Sequence, residues 1–537
     1  MTGGHQGPLP DLADDRPRVR RNDHSPLTPP ELGAWRPTLP VSVVVPAHGG
    51  QPRLDLALAA LAAQTYPREL LEVIVVDDGS EPPLRLPEIA PEGTRIVRAD
   101  PSGWGIGHAV NSGVAAAGGT LIQRLDADMV VCREHIEALA RWHHLTDYTV
   151  TIGYKRFVEE PAGLGAARVR EAVAGEGLGA IFDLAAAVPS STEATIERLD
   201  LLRASKNPYH CCTGPTLCLH RDLFLAVGGV DAGVPRGEDT EFAYRLAQAG
   251  AVFVPDPLAQ AVHLGLPAQT LERDLAVRVV SPYLAQRVPL RRDLRKDVGR
   301  RWRVPYAEVV FEVGDAGEET VRAAVGAALT GSISDVVVTL VAPWSSLGSG
   351  RRPVLHDPLL DLRLMSERFA GDDRVRLADA VVPSPAPIPF RYTGPVEPPP
   401  GRDTLRLMID TLQEHRPGVL RVDLPSGGTA RLERTEALSR ALLLAGQGVP
   451  VTELVASGAI DPDLRDELVE ATHGAMKGEY AEYWPAPKQA AAQQAPPKKA
   501  PSAAKPAQPP GAAPPPPEPP SRGTSLLGRL TGARRRG

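Results

Sequence analysis

A chain of 537 residues exceeds one ordinary core, and at about 100 to 200 residues per domain it holds two or three compact units plus tails. Hydrophobic residues at 42% and charged residues at 23% suit globular protein, whereas 56 Pro and 50 Gly beside only 4% aromatic residues point to added segments without a core. A net charge of -6 excludes a broad nucleic-acid surface, because gripping a phosphate backbone needs clustered cation excess.

Residues 1–39 mix Pro, Asp, Arg and Gly without an apolar period and predict a disordered arm. Order begins at Val41-Ser42-Val43-Val44-Val45, a β-branched run that reads as a strand buried on both faces. Helix formers follow from Leu54 to Gln64, and Val73-Ile74-Val75-Val76 supplies a second buried strand ending in Asp77-Asp78-Gly79-Ser80. Further strands are expected at 95–98 and 120–125, with a helix at 107–117 between them. This alternation predicts an α/β fold with a doubly wound parallel sheet, whose ligands bind at the carboxyl ends of the strands. Asp77-Asp78 and Asp126/Asp128 both fall at that edge.

From Lys155 to Ser205 the chain is rich in Ala, Gly and Glu, reads as helical or mobile, and offers no chemistry. Motifs return at Cys211, Gly214, a helix at 221–227, Gly228-Gly229, Gly237-Glu238-Asp239, a helix at 240–249, strands at 251–254 and 261–262, and His263. The first domain is taken as 40–285 and a second, non-catalytic α/β domain as 286–484. Val309–Val313, an Ala-rich helix and Val336–Val341 repeat the opening strand-helix-strand rhythm, and "GVLRVDLPSGG" can be laid on "GTLIQRLDADM" with Asp423 over Asp126. That alignment makes the second domain a degenerate copy without the acids, and two unrelated domains sharing a rhythm is the alternative. Residues 485–522 form a Pro/Ala/Lys-rich linker expected to be disordered, and 523–537 form a basic tip suited to a membrane surface or a protein partner. Four Cys without the spacing of a zinc site or the density of a disulfide scaffold, no leader and no apolar run of about 18 residues predict a cytoplasmic protein, at most peripheral to the inner membrane face.

Asp126-Ala127-Asp128 can aim two carboxylates into one crevice if the chain turns at Ala127. With diphosphate oxygens they suit a hard divalent ion, Mn2+ or Mg2+. Alone the triplet is common on protein surfaces, as is an Asx turn at Asp77 or a capping cluster at Glu238; their company is what argues for function. Glu238-Asp239 open a helix whose dipole favours ionised carboxylates, and such a carboxylate can take a hydroxyl proton. His263 can add a metal ligand or touch the diphosphate, or serve as a structural histidine.

The blocks "VSVVVPAHG", "VIVVDDGS", "GIGHAVNSGVAAAGGTLIQRLDADMVV", "CCTGPTLCLHRDLFLAVGGVD" and "GEDTEFAYRLAQAG", in this order from Val41 to about His263, resemble family-2 glycosyltransferases of the GT-A fold. The resemblance implies that Pro46, Ala47, Asp77, Asp78 and Asn111 hold the donor nucleotide, with Asp126 on its ribose or on the metal. It likewise places Asp128 on the metal, Gly214 in an acceptor-side loop and Asp239, beside Glu238, as the base of an inverting displacement. The implied partners are a nucleoside diphosphate sugar, UDP in the first instance, and a glycan or lipid-linked acceptor. A composition rich in Ala, Arg, Pro and Gly adds a high-GC, actinobacterial type. Val110 stands where the family often has Arg, removing a cation that could meet the diphosphate. No Gln-x-x-Arg-Trp block follows, which argues against a membrane-spanning processive synthase. A catalytically inactive scaffold and a nucleotidyltransferase are the competing readings; for the latter, "PAHGGQPR" is a poor phosphate loop.

Overall fold

The computed structural model describes residues 16–265, 273–297, 299–380, 387–446 and 462–485. The expected opening is present as β1 (Val41–Ala47), the helix Gln51–Leu61, β2 (Leu71–Asp77), β3 (Thr94–Arg98), the helix Ile106–Ala116 and β4 (Leu121–Arg124). Next come β5 (Met129–Val131), the helix His135–His143, β6 (Thr149–Val158), β7 (Val188–Pro189), β8 (Leu217–His220), the helix Glu238–Gln248 and β9 (Val252–Leu264). These strands form one sheet in the order β3-β2-β1-β4-β8-β6-β9-β5, with β7 on β6.

The sheet is parallel from β3 to β4 but mixed beyond, since β4 meets β8 antiparallel, β8 meets β6 antiparallel, and β9 meets β5 antiparallel. The stretch from Lys155 read as helical or mobile begins inside a long strand. β6 runs the length of β9, with a register shift at Gly153/Tyr154 that keeps the two strands paired to Val158. The two strands expected at 251–254 and 261–262 are likewise one.

Strands buried on both faces need cover on both sides. Val43, Val45, Val73 and Val75 pack toward the helices Gln51–Leu61 and His135–His143, while Val44, Ile74 and Val76 pack toward Ile106–Ala116 and Glu238–Gln248. Gly113 allows the second contact: a Cβ there would lie 2.4 Å from Val44 Cγ1 and 2.8 Å from Val76 Cγ2.

The helix Arg273–Arg287 crosses the boundary expected at 285 and leads to a second sheet. Its strands are β10 (Ala307–Glu312), β11 (Val336–Val341), β12 (Val375–Ala378), β13 (Phe390–Pro395), β14 (Val419–Asp423), β15 (Thr429–Arg434) and β16 (Ala475–Gly478), in the order β12-β11-β10-β13-β15-β14-β16. Its four parallel strands and antiparallel neighbour, β12-β11-β10-β13-β15, follow the same order and directions as β3-β2-β1-β4-β8. The strand standing where β4 stands is therefore β13, not β14, so the alignment of Asp423 over Asp126 is corrected. Asp423 ends a strand one place in from the far edge, 2.6 Å from Lys477 Nζ.

The described residues up to 485 belong to one compact unit. One hydrophobic cluster joins Tyr148, Tyr244 and Phe253 of the first half to Leu438, Leu443 and Val469 of the second. The arm expected to be disordered over 1–39 is packed from residue 16 onward. Val19 is fully buried, Asn22 bonds the carbonyls of Leu202 and Phe253 at 3.0 and 2.9 Å, and Trp35 Nε1 donates to Glu137 at 2.9 Å. Isolated anchors, not a period, tie it down. Residues 1–15 and the whole of the expected linker and tip lie outside the described residues, apart from the first residue of the linker. Among the described residues no helix is long and apolar enough to cross a membrane.

Candidate active site

Asp77, at the end of β2, is 3% exposed and has both carboxylate oxygens engaged: Oδ1 accepts from Ser80 N at 2.8 Å and Oδ2 from Leu84 N at 3.2 Å. Burial pushes its pKa up, but these hydrogen bonds outweigh it and hold the carboxyl below its ordinary value. Asp77 thus shapes the loop after β2. Asp78 Oδ2 accepts from Gly105 N at 2.7 Å, which joins that loop to the start of the helix Ile106–Ala116. Pro46 and Ala47 end β1 alongside, paired in register with Val76 and Asp77.

Asp126 and Asp128 follow β4 and flank a turn. Pairing of Met129 with His263 across β5 and β9 brings His263 Nε2 to 3.5 Å from Asp128 Oδ1. Burial raises the Asp128 carboxyl, His263 opposes that shift, and Asp126 adds to it. The His263 ring also packs on Phe157 of β6 at 4.8 Å between centroids, and its Nδ1 is buried without a hydrogen-bond partner. Among the described residues, no three His, Cys, Asp or Glu side chains close around a common point.

Asp239 opens its helix as expected. Its Oδ1 accepts from Thr240 N at 2.7 Å, and its Oδ2 faces Gly214 N at 3.5 Å, so the loop expected on the acceptor side meets the expected base. Glu238 is different. It is buried and accepts from Arg124 Nη1 at 3.2 Å, and this pairing makes it an anchor of the helix start rather than a free base. Asn111 is also reassigned: its Nδ2 donates to Val230 O at 2.7 Å and its Oδ1 accepts from Val230 N at 2.9 Å. Both ends of the amide brace the loop after Gly228-Gly229.

Two residues were missed. Arg124 bridges Asp126 and Glu238 from the end of β4; burial opposes its charge, but the carboxylates of Asp126, Glu238 and Asp239 hold it firmly protonated. Lys155, buried on β6, donates to Thr213 Oγ1 at 3.0 Å. Burial lowers its pKa, while Asp126 and Asp239 pull the other way. A usable signal existed for both, because a cation inside an apolar strand must be paired.

Residues 42–221 match the family model described as glycosyl transferase family 2. The match spans Asp77, Asp78, Asp126, Asp128 and Gly214 and ends before Glu238. This stretch is similar to family-2 glycosyltransferases and lies within a GT-A-like α/β sheet. A chondroitin synthase of Escherichia coli is 24% identical over 358 residues, covering 63% of this chain and 49% of the relative. A pre-mycofactocin glycosyltransferase of Mycobacterium tuberculosis is 28% identical over 224 residues, 42% of each. The chain therefore spans about half the length, or less, of the curated relatives it matches. Among solved structures, GalNAc-T7 with UDP, GalNAc and Mn2+ aligns over 48% of this chain and 53% of its own at 20% identity and a TM-score of 0.31. The mannosyltransferase PcManGT of Pyrobaculum calidifontis with GDP-Man and Mn2+ aligns over 48% and 65% at 21% identity and a TM-score of 0.30.

Proposed function

We propose that the first sheet carries a metal-dependent inverting glycosyltransferase, which moves a sugar from a nucleoside diphosphate, UDP in the first instance, to a hydroxyl of a cell-envelope glycan or lipid-linked saccharide. The observation that carries the reading is the meeting of Asp239 Oδ2 with the Gly214 loop at 3.5 Å, in a site whose Arg124 also holds Asp126. A carboxylate at a helix start, beside the Gly214 loop, supports reading Asp239 as the group that takes a proton from an acceptor hydroxyl. Removal of that proton opposite the departing diphosphate inverts the anomeric carbon in one displacement. The basic tip would bring the enzyme to anionic lipid at the inner membrane face.

The residues fit a divalent ion. Asp128 Oδ1 and His263 Nε2 stand 3.5 Å apart, close enough to share one ion, and burial makes the Asp128 carboxylate costly without a cation. Asp128 and His263 would hold Mn2+ or Mg2+, joined by Asp126 as donor oxygens and water complete an oxygen-rich shell. When bound, the ion neutralises the diphosphate as it leaves.

Screening UDP-, GDP- and dTDP-sugars for Mn2+-dependent binding and hydrolysis tests this reading, and no response to any of them overturns it. Asp239→Asn is expected to lower turnover by about 100- to 10,000-fold, the usual weight of a general base, with nucleotide affinity within about twofold of wild type. Unchanged activity or complementation would favour the scaffold reading.

A further inference from the structure

Arg124 places a full charge in a buried strand and is 6% exposed. Its Nε donates to Asp126 Oδ1 at 3.2 Å and its Nη1 to Glu238 Oε1 at 3.2 Å. Its guanidinium also lies directly on Gly214, where a Cβ would fall 2.1 Å from Nη1 and 2.2 Å from Cζ. Gly214 in turn presents its N–H to Asp239. One cation therefore touches three segments that reach the site from separate parts of the chain: a strand end, a loop and a helix start. Val110, standing where a cation could have come from the helix Ile106–Ala116, lines the same small cavity as Arg124, Gly214 and Asp239 and brings no charge to it.

We propose that Arg124 is the positioning residue of this site: it holds the Glu238–Asp239 helix start in register with the Gly214 loop, and it yields Asp126 to a divalent cation when the donor is loaded. The inference rests on the transferase reading above. A buried guanidinium cannot be left unpaired, and Glu238 satisfies that need when Asp126 is shared with a second cation. The two cations compete for one carboxylate, so Arg124 weakens metal binding in the empty site while aligning the base. Gly214 is glycine because any side chain there would displace the guanidinium.

The competition gives the test its sign. In Arg124→Gln, Mn2+ affinity of the nucleotide-free protein, read by electron paramagnetic resonance, is expected to rise by about 3- to 10-fold, because a positive charge has left the neighbourhood of Asp126. Turnover is expected to fall by about 10- to 100-fold with donor KM changed by less than about threefold, the pattern of lost alignment rather than lost binding. Arg124→Lys should keep wild-type Mn2+ affinity and restore part of the turnover, since it returns the charge without the fork. Gly214→Ala should lower turnover on its own, and the double variant Arg124→Gln/Gly214→Ala should be no worse than the poorer single one.

Unchanged or weaker Mn2+ binding in an Arg124→Gln protein that melts like wild type overturns the proposal, as do fully additive losses in the double variant. Should Arg124→Gln not fold, Arg124→Lys and Gly214→Ala decide it: equal, wild-type turnover in both overturns the proposal. Wild-type protein that binds neither Mn2+ nor any nucleotide overturns the transferase reading instead.

Discussion

Two aspartates of the site differ in how tightly their second oxygen is held. Asp77 receives two backbone N–H groups from the loop that follows it, at 2.8 and 3.2 Å, whereas Asp239 receives Thr240 N at 2.7 Å on one oxygen and only a long 3.5 Å approach from Gly214 N on the other. An amide at 77 would present one oxygen and one NH2 to two donors, leaving a buried N–H facing another N–H. Asp77→Asn is therefore expected to cost about 1 to 3 kcal/mol of stability and to weaken nucleotide affinity through the loosened loop, in contrast to Asp239→Asn. Urea denaturation beside nucleotide titration checks this; a stability change below about 0.5 kcal/mol would contradict the bracing role. The positions of these acids were legible in the sequence, because each follows an apolar strand or opens a helix. Their division of labour was not legible: Glu238 and Asp239 are neighbours, and only the fold shows that Arg124 claims one of them.

At the scale of elements, strands with unbroken β-branched runs were readable and strands carrying charge were not. Val41–Val45 and Val73–Val76 name themselves, but β6 carries Lys155 and Arg156 in its second half, and the stretch from Lys155 reads as helical or mobile. Its pairing with β9 is long-range, through a register shift that no local pattern encodes. The same holds in the second sheet, where charge again marks structure. Asp466, on the helix Pro462–His473, gathers Arg431 of β15, Arg421 of β14 and its own neighbour Arg465, with the Arg431 Nη2 contact at 2.7 Å. Burial raises its carboxyl, but the hydrogen bond and charge of Arg431, then Arg465 and Arg421, bring it down to about 2. A depressed carboxyl contributes stability above its unfolded value near 3.9, and loses it as pH falls through the folded value. Asp466→Asn is accordingly expected to cost about 1 kcal/mol at pH 7, after allowance for solvent screening, and nothing near pH 2. Urea midpoints at pH 7, 4 and 2 check it; a penalty constant across that range would show that the loss is one of packing.

Over the whole molecule, the two sheets are clasped by a residue that belongs to neither sheet. Arg440, on the helix Thr435–Ala445, is 2% exposed. It donates through Nε to the Gly250 carbonyl in the first half, and through Nη1 to Val19 O in the arm at 3.1 Å, with its guanidinium 4.8 Å from the Tyr148 ring. Gly250 is required for that approach: its φ is +90°, and a Cβ would stand 2.6 Å from the Arg440 backbone nitrogen. The arm closes the clasp, since Arg21 N donates to Thr472 O of the second half at 2.8 Å while Asn22 is tied to Phe253 of the first. Arg440→Met preserves most of the volume but leaves two buried carbonyls unpaired; relief from burying a charge offsets part of that loss. The expected net cost is about 1 to 3 kcal/mol, concentrated at the junction rather than in either sheet. Unfolding should then separate into two transitions, and limited proteolysis should cut the arm between Arg16 and Arg21 at protease concentrations that spare the wild type. Arg440→Lys, which keeps a donor, should fall between them. A single transition with unaltered midpoint and an intact arm in Arg440→Met would mean that the apolar cluster around Tyr148, Leu438 and Val469 holds the halves together without the clasp.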